Sequence, residues 1–351
     1  MTVDAVLPDG IDDPARPSGG NVYDRHVCNE LVALGWSVRE HSVPGFWTQP
    51  DTASFAALAA ALERIPAEAV VLIDGLIASR APEVLLPQAR RLRLVVLVHM
   101  PLGDRPQDAA SRRRERDVLS AAAAIVTTSG WARRRLLALY PLPTDRVHVA
   151  RPGVDAAEIV PGTPSGEALL CVGAVTRDKG HELLLDALVA ISDLSWHCVC
   201  VGRLDRDPAF VDGLRRRAAA SGLADRLQFR GPLTGPDLDR SYAAADLTVL
   251  ASRAETYGMV VTEALARGLP VVAANVGGVT EALGHGAGGR RPGVLIAPDD
   301  ATALASALRA WLGDAGLRRQ LRQAARERRE SLPSWSTTAV GVAAVLSGAS
   351  G

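Results

Sequence analysis

The sequence predicts an α/β chain made of two parallel-sheet domains of Rossmann-like type. Three observations carry that reading. Short apolar runs alternate with helical stretches through the first half, and the same alternation restarts near Ala168. Between the two series lies Asp155–Glu167, rich in Pro, Gly and Ser, which reads as a boundary. The 351 residues are also too many for one ordinary core and suit two. The expected domains are 1–155 and 156–334. Apolar residues make up 48% and charged residues 22%, ordinary for a globular protein. A formal net charge of zero argues against a nucleic-acid partner.

In the first half, Val3–Leu7 is the opening strand, and Met1-Thr-Val-Asp leads into it without the pattern of a signal peptide. A polar loop, Pro8 to Ser18, closes on Gly19-Gly20-Asn21, and Asn21 can cap a helix running to about Leu34. The glycine pair permits close approach to a ligand, although a tight turn explains it equally well and no GxGxxG fingerprint is present. Strands follow at Ser37–Ser42, Ala69–Ile73, Leu94–Val98, Ala124–Thr128 and Val147–Ala150, with Ser129 capping a helix Gly130–Leu139. His99 stands just past Leu94–Val98. In an open α/β sheet, ligands bind at the carboxyl ends of the strands.

In the second half, strands are expected at Ala168–Val172, His197–Val201, Leu227–Arg230, Leu247–Leu250, Val271–Ala274 and Val294–Ile296. Helices Ala301–Leu312 and Leu317–Glu330 follow, and Pro333-Ser334-Trp335 precedes a last apolar helix. The chain has four cysteines, at 28, 171, 198 and 200, with no CxxC, so buried free thiols in a reducing cytoplasm are expected rather than zinc. Asp205-Arg206-Asp207 has the form of a DxD metal site but lies in an ordinary connection with no histidine beside it. No required metal is expected. No apolar run reaches membrane-spanning length. The clusters Arg112–Arg114 and Arg133–Arg135 read as solvated helix faces, leaving peripheral membrane contact open but not favoured.

Lys179 is the single lysine of the chain; the other 38 of its 39 Lys and Arg residues are arginines. It sits in Gly173-Ala-Val-Thr-Arg177-Asp178-Lys179-Gly180, between a strand and a helix. A compact ammonium kept where arginine is used everywhere else fits a tight phosphate-binding loop. The stretch Ala251–Glu281 then reads as loop, helix from about Val260, strand, loop and helix start. An exposed helix start with Gly258 before it can hold an anion on its amides. Glu263, one turn inside, suits vicinal hydroxyls, which donate to a carboxylate. A lone pair of glutamates eight residues apart is more often a helix-dipole residue and a solvated one.

The pattern Glu255-Thr-Tyr257-Gly258-Met259-Val260-Val-Thr-Glu263, followed by Gly277-Gly278-Val-Thr-Glu281, resembles the donor site of the retaining GT-B glycosyltransferases of family 4. The resemblance is strongest from Cys171 to Glu281 and extends weakly over nearly the whole chain. It implies a GT-B fold, two Rossmann-like domains facing a cleft, with Arg151–Asp155 as the inter-domain turn. It also implies that helix 335–351 returns to complete the first, acceptor-side domain. The implied activity is transfer of a hexose from a UDP- or GDP-sugar to a small-molecule, lipid or glycan acceptor, with retention and without cofactor or metal. His99, Lys179 and Glu255 are the implied catalytic residues. The implied donor contacts are Gly19, Gly20, Arg177, Lys179, Tyr257, Gly258, Met259, Val260 and Glu263. Family members commonly carry an arginine where Ala174 stands, and Arg177 is the candidate replacement. A hydrolysing sugar-nucleotide epimerase and a non-catalytic sugar-nucleotide-binding protein are the alternatives.

Overall fold

Runs such as Leu94-Val-Val-Leu-Val98 and Val271-Val-Ala-Ala274 are apolar on both faces, which suits strands covered by helices on either side. The computed structural model describes residues 1–104 and 108–350, and twelve strands stand among them, each within a residue or so of its expected place. By contacts the chain forms two units. One comprises Met1–Asp12, Ser18–Gly153 and Pro333–Gly351; the other comprises Asp13–Pro17 and Val154–Leu332.

The first unit contains β1 (Thr2–Pro8), β2 (Ser37–Val43), β3 (Val70–Asp74), β4 (Arg93–Val98), β5 (Ala124–Thr127) and β6 (Val147–Val149). All pairings are parallel and the order is β2-β1-β3-β4-β5-β6. One apolar layer, including Val6, Val71, Ile73, Val96, Leu58 and Leu85, is buried between strands and helices. The first helix runs Gly19–Ala33 and is capped by Ser18, whose hydroxyl accepts from the Asn21 amide. Asn21 is therefore not the cap. The glycine pair forms the first turn of the helix rather than the end of the loop, because the serine before it supplies the acceptor. Ser129 caps Gly130–Leu139 by accepting from Ala132.

The last helix, Trp335–Ala349, packs in this unit against Gly19–Ala33. Trp335 stacks on His26 with ring centres 4.3 Å apart. Gly153 has no room for a side chain: a Cβ there would lie 2.2 Å from the Trp335 nitrogen.

The second unit contains β7 (Ala168–Val172), β8 (His197–Val201), β9 (Leu227–Arg230), β10 (Leu247–Leu250), β11 (Val271–Ala274) and β12 (Gly293–Ile296). They too are parallel, in the order β12-β11-β10-β7-β8-β9. This is the doubly wound order, with the strand sequence reversing between β7 and β10. Two apolar layers cover the sheet, one around Leu184, Leu188, Leu214 and Trp311, the other around Tyr242, Val261, Leu265 and Leu283. No helix among the described residues is long and apolar enough to cross a membrane.

Candidate active site

The reversal between β7 and β10 leaves a crevice at the carboxyl ends of those two strands, where ligands of such sheets bind. The loop after β7 carries Lys179; the loop after β10 carries Glu255. The structure brings them together, with Lys179 Nζ donating to Glu255 Oε1 at 2.5 Å. The Ser252 hydroxyl donates to the same oxygen at 2.8 Å.

Several features fix this pair. Gly180 has φ +67°, and a Cβ on it would lie 2.0 Å from the Ala251 carbonyl oxygen, so only glycine lets the lysine turn reach the end of β10. Arg253 ties the two loops. Its amide donates to the Asp178 carbonyl at 2.8 Å, and its guanidinium donates to the Arg177 carbonyl and to Glu182, each at 2.6 Å. From the other side the glycines after β11 press on the glutamate loop. A Cβ on Gly277 would fall 1.6 Å from the Glu255 carbonyl oxygen, which accepts from the Gly278 amide at 3.1 Å.

The helix after this loop, Met259–Ala266, begins at Gly258 in the left-handed region with φ +95°, and no side chain caps it. Val261 N–H bonds back to Gly258, while Met259 and Val260 contribute the first amides of the helix. Such an end carries partial positive charge and amides available to an anion. Tyr257 is buried beside it.

Glu263 lies one turn on and accepts from the Tyr242 hydroxyl at 2.8 Å through one oxygen. Burial raises its carboxyl above the ordinary range, against the pull of that hydrogen bond and of Arg267. Arg267 lies over the Tyr242 ring at 4.4 Å and donates to the Glu263 carbonyl. Tyr242, buried on a different helix, carries no motif that would have marked it.

Arg177 stands apart from this constellation. Its side chain is 71% exposed, 3.8 Å from Asp207 and 4.8 Å above the Phe210 ring. The carboxylates of the DxD-like stretch have ordinary structural partners. Asp205 pairs with Arg203, and Asp207 caps Pro208–Ala220 by accepting from Phe210.

In the first unit His99 follows β4 directly, and Nε2 lies 2.7 Å from Asp24 Oδ1 and 3.7 Å from Asp74 Oδ2. Burial alone would depress the imidazole, but the Asp24 charge and hydrogen bond, with Asp74 behind them, raise it to about 9. Burial, then the Asp24 charge, raises Asp74 to about 6. Gly20 faces the ring: a Cβ on it would come 3.1 Å from His99 Cδ2. Tyr23 meets the ring edge-on at 5.2 Å. Neither aspartate was legible as a site residue. Asp24 is buried mid-helix 75 residues from its partner, and Asp74 doubles as a helix cap for Leu76 and Ile77.

Comparison with known proteins decides the family. Residues 15–158 match the model described as Glycosyltransferase Family 4, and residues 161–328 match that of Glycosyl transferases group 1. The chain belongs to the GT-B glycosyltransferases of this family. It is 31% identical over 263 residues to the D-inositol 3-phosphate glycosyltransferase of Jonesia denitrificans, covering 69% of this chain and 61% of that one. It thus spans about three fifths of the length of the curated relatives it matches. Among solved structures it is similar to sucrose-phosphate synthase from Thermosynechococcus elongatus, with TM-score 0.80, 22% identity and 98% of each chain covered. It is also similar to Anabaena HepE in complex with UDP, with TM-score 0.77, 18% identity, and 99% and 100% coverage. These likenesses establish the GT-B fold.

Proposed function

We propose that this GT-B glycosyltransferase moves a hexose from a nucleoside-diphosphate sugar, UDP- or GDP-linked, to an acceptor with retention of configuration and without a divalent metal. The observation that carries the reading is the Lys179–Glu255 contact beside the uncapped helix Met259–Ala266, at the strand-order reversal of a doubly wound sheet. The second unit is the donor-binding unit and the first the acceptor-side unit. Lys179 and the amides of Met259 and Val260 hold the diphosphate, and Glu263 receives the ribose hydroxyls. Lys179 is held by Glu255. Donor phosphates take over the ammonium, freeing the carboxylate for the sugar. As the glycosidic bond breaks, negative charge grows on the leaving phosphate, and fixed positive groups there lower the barrier. In the first unit, His99, held as an imidazolium by Asp24, is the candidate hydrogen-bond donor to a sugar hydroxyl.

The acceptor is read by the loops Pro8–Ser18, Pro44–Pro50 and Met100–Asp108. Phe46 and Met100 are 68% and 46% exposed there, while Arg105, Pro106 and Gln107 lie outside the described residues. Names of the curated relatives favour a phosphorylated polyol, with D-inositol 3-phosphate the first to try.

The test separates the two glutamates. Glu263→Ala should lose most of its affinity for UDP or GDP, because each ribose hydrogen bond to a carboxylate contributes roughly 1.5–3 kcal/mol. Glu255→Ala should instead lose turnover and retain nucleotide affinity. Equal losses of nucleotide affinity would refute the assignment. Release of nucleotide without acceptor would point to a hydrolysing enzyme. Restoration of EDTA-treated enzyme only by Mg²⁺ or Mn²⁺ would end the metal-independent reading.

A further inference from the structure

Three of the four cysteines gather in the second unit, in the core directly under the lysine loop. Cys171 and Cys200 are facing partners in the parallel β7–β8 ladder. Cys198 lies two residues earlier on the same face of β8. His181, the first residue of the helix His181–Ala190, reaches into the group, with Nε2 3.7 Å from Cys171 Sγ. Cys171 Sγ, Cys200 Sγ and a ring nitrogen of His181 all lie within 4.8 Å of one another, and all three side chains are buried. The other ring nitrogen, His181 Nδ1, is buried without a hydrogen-bond partner among the described residues, so neither nitrogen is spent on holding a helix or a loop.

We infer that Cys171, Cys200 and His181 form a site for one thiophilic d¹⁰ metal ion, Zn²⁺ or Cu⁺, distinct from the sugar-transfer site. The donor set decides the class of ion: two sulfurs and an imidazole with no carboxylate favour soft metals and disfavour Mg²⁺ and Ca²⁺. The spacing fits as well. With metal–sulfur bonds of about 2.3 Å and metal–nitrogen bonds of about 2.0–2.1 Å, a sulfur and a nitrogen ligand at trigonal to tetrahedral angles stand about 3.5–3.8 Å apart. The Cys171–His181 separation of 3.7 Å lies in that range. Binding would displace a proton from each ligating thiol to solvent and leave the metal's oxidation state unchanged.

The site's position gives it a consequence. Cys171 is two residues before Gly173 and His181 two residues after Lys179, so one ion would clamp both ends of the phosphate loop.

The experiment is metal analysis of the full chain, purified without chelator from cells supplied with zinc or copper, beside the variants Cys171→Ser, Cys200→Ser and Cys28→Ser. The expected result is about one ion per chain in the wild type and Cys28→Ser, with at least a tenfold loss in the other two. The identity of the ion distinguishes zinc from copper. Substitution by Co²⁺ in the wild type provides a readout independent of variant folding. Thiolate-to-cobalt charge-transfer bands and a raised melting temperature are expected. Substoichiometric metal in the wild type, unchanged content in Cys171→Ser and Cys200→Ser, or a cobalt spectrum without thiolate bands would overturn the proposal.

Discussion

Lys179 shows how a single residue becomes informative when composition removes its competitors. In a chain with 38 arginines, one ammonium stands at 2.5 Å from Glu255 in a loop shaped by Gly180. Arginine keeps the charge there but is larger and planar. Lys179→Arg should therefore lose at least tenfold in turnover, about 1.4 kcal/mol of barrier, with its melting temperature little changed. Near-wild-type turnover would mean that the loop needs only charge. His99 makes a second prediction at this scale. Asp24 holds the imidazole near 9 against a burial that would otherwise lower it. A folded-state pKa raised above the ordinary 6.5 contributes stability that is complete below pH 6.5 and is lost as pH rises through about 9. In Asp24→Asn the imidazole should titrate below 6.5, as read from NMR of the ring protons, and that alkaline loss of stability should vanish. An unchanged imidazole pKa would show that Asp24 does not hold it. The lysine was legible from sequence because its type was unique. Asp24 was not, because nothing local marks an aspartate whose partner lies 75 residues away.

At the level of elements, the strands were legible because covered parallel strands are short apolar runs ending at glycine, proline or polar residues. The first helix was misplaced for a local reason. Gly19-Gly20 looks like a loop end, yet Ser18 supplies the cap that lets both glycines enter the helix. The four cysteines are buried free thiols, as expected, but the gathering of Cys171, Cys200 and His181 was not legible at short spacing along the chain. Here the β7–β8 register brings Cys171 opposite Cys200, 29 positions away. Connections also explain the reach of the lysine. Gly180 in the left-handed region against the Ala251 carbonyl sets how close the β7 and β10 loops come. Gly180→Ala adds a clash to a backbone strain that costs on the order of 1–3 kcal/mol. Its melting temperature should fall and its UDP or GDP affinity drop at least tenfold, as read by thermal shift with and without nucleotide. Wild-type affinity in a destabilised Gly180→Ala would separate loop geometry from phosphate binding.

Over the whole molecule, two six-stranded parallel sheets, two family models and solved GT-B structures agree on the fold. The activity proposed for it rests on a donor site assembled from side chains of four segments of one unit, Lys179, Tyr242, Glu255 and Glu263, with backbone amides beside them. Only the motif residues among these could be read in advance; Tyr242 emerged from the packing of its helix against Glu263. The chemistry assigned to that site makes one demand that no binding measurement meets: sugar must leave the nucleotide only for an acceptor, with its anomeric configuration kept. A proton-NMR time course with UDP-glucose or GDP-mannose, both α-linked, and D-inositol 3-phosphate tests this directly. The account predicts an α-linked product and one nucleotide released per bond formed, with neither in the absence of acceptor. A β-linked product, or free sugar accumulating without acceptor, would contradict it.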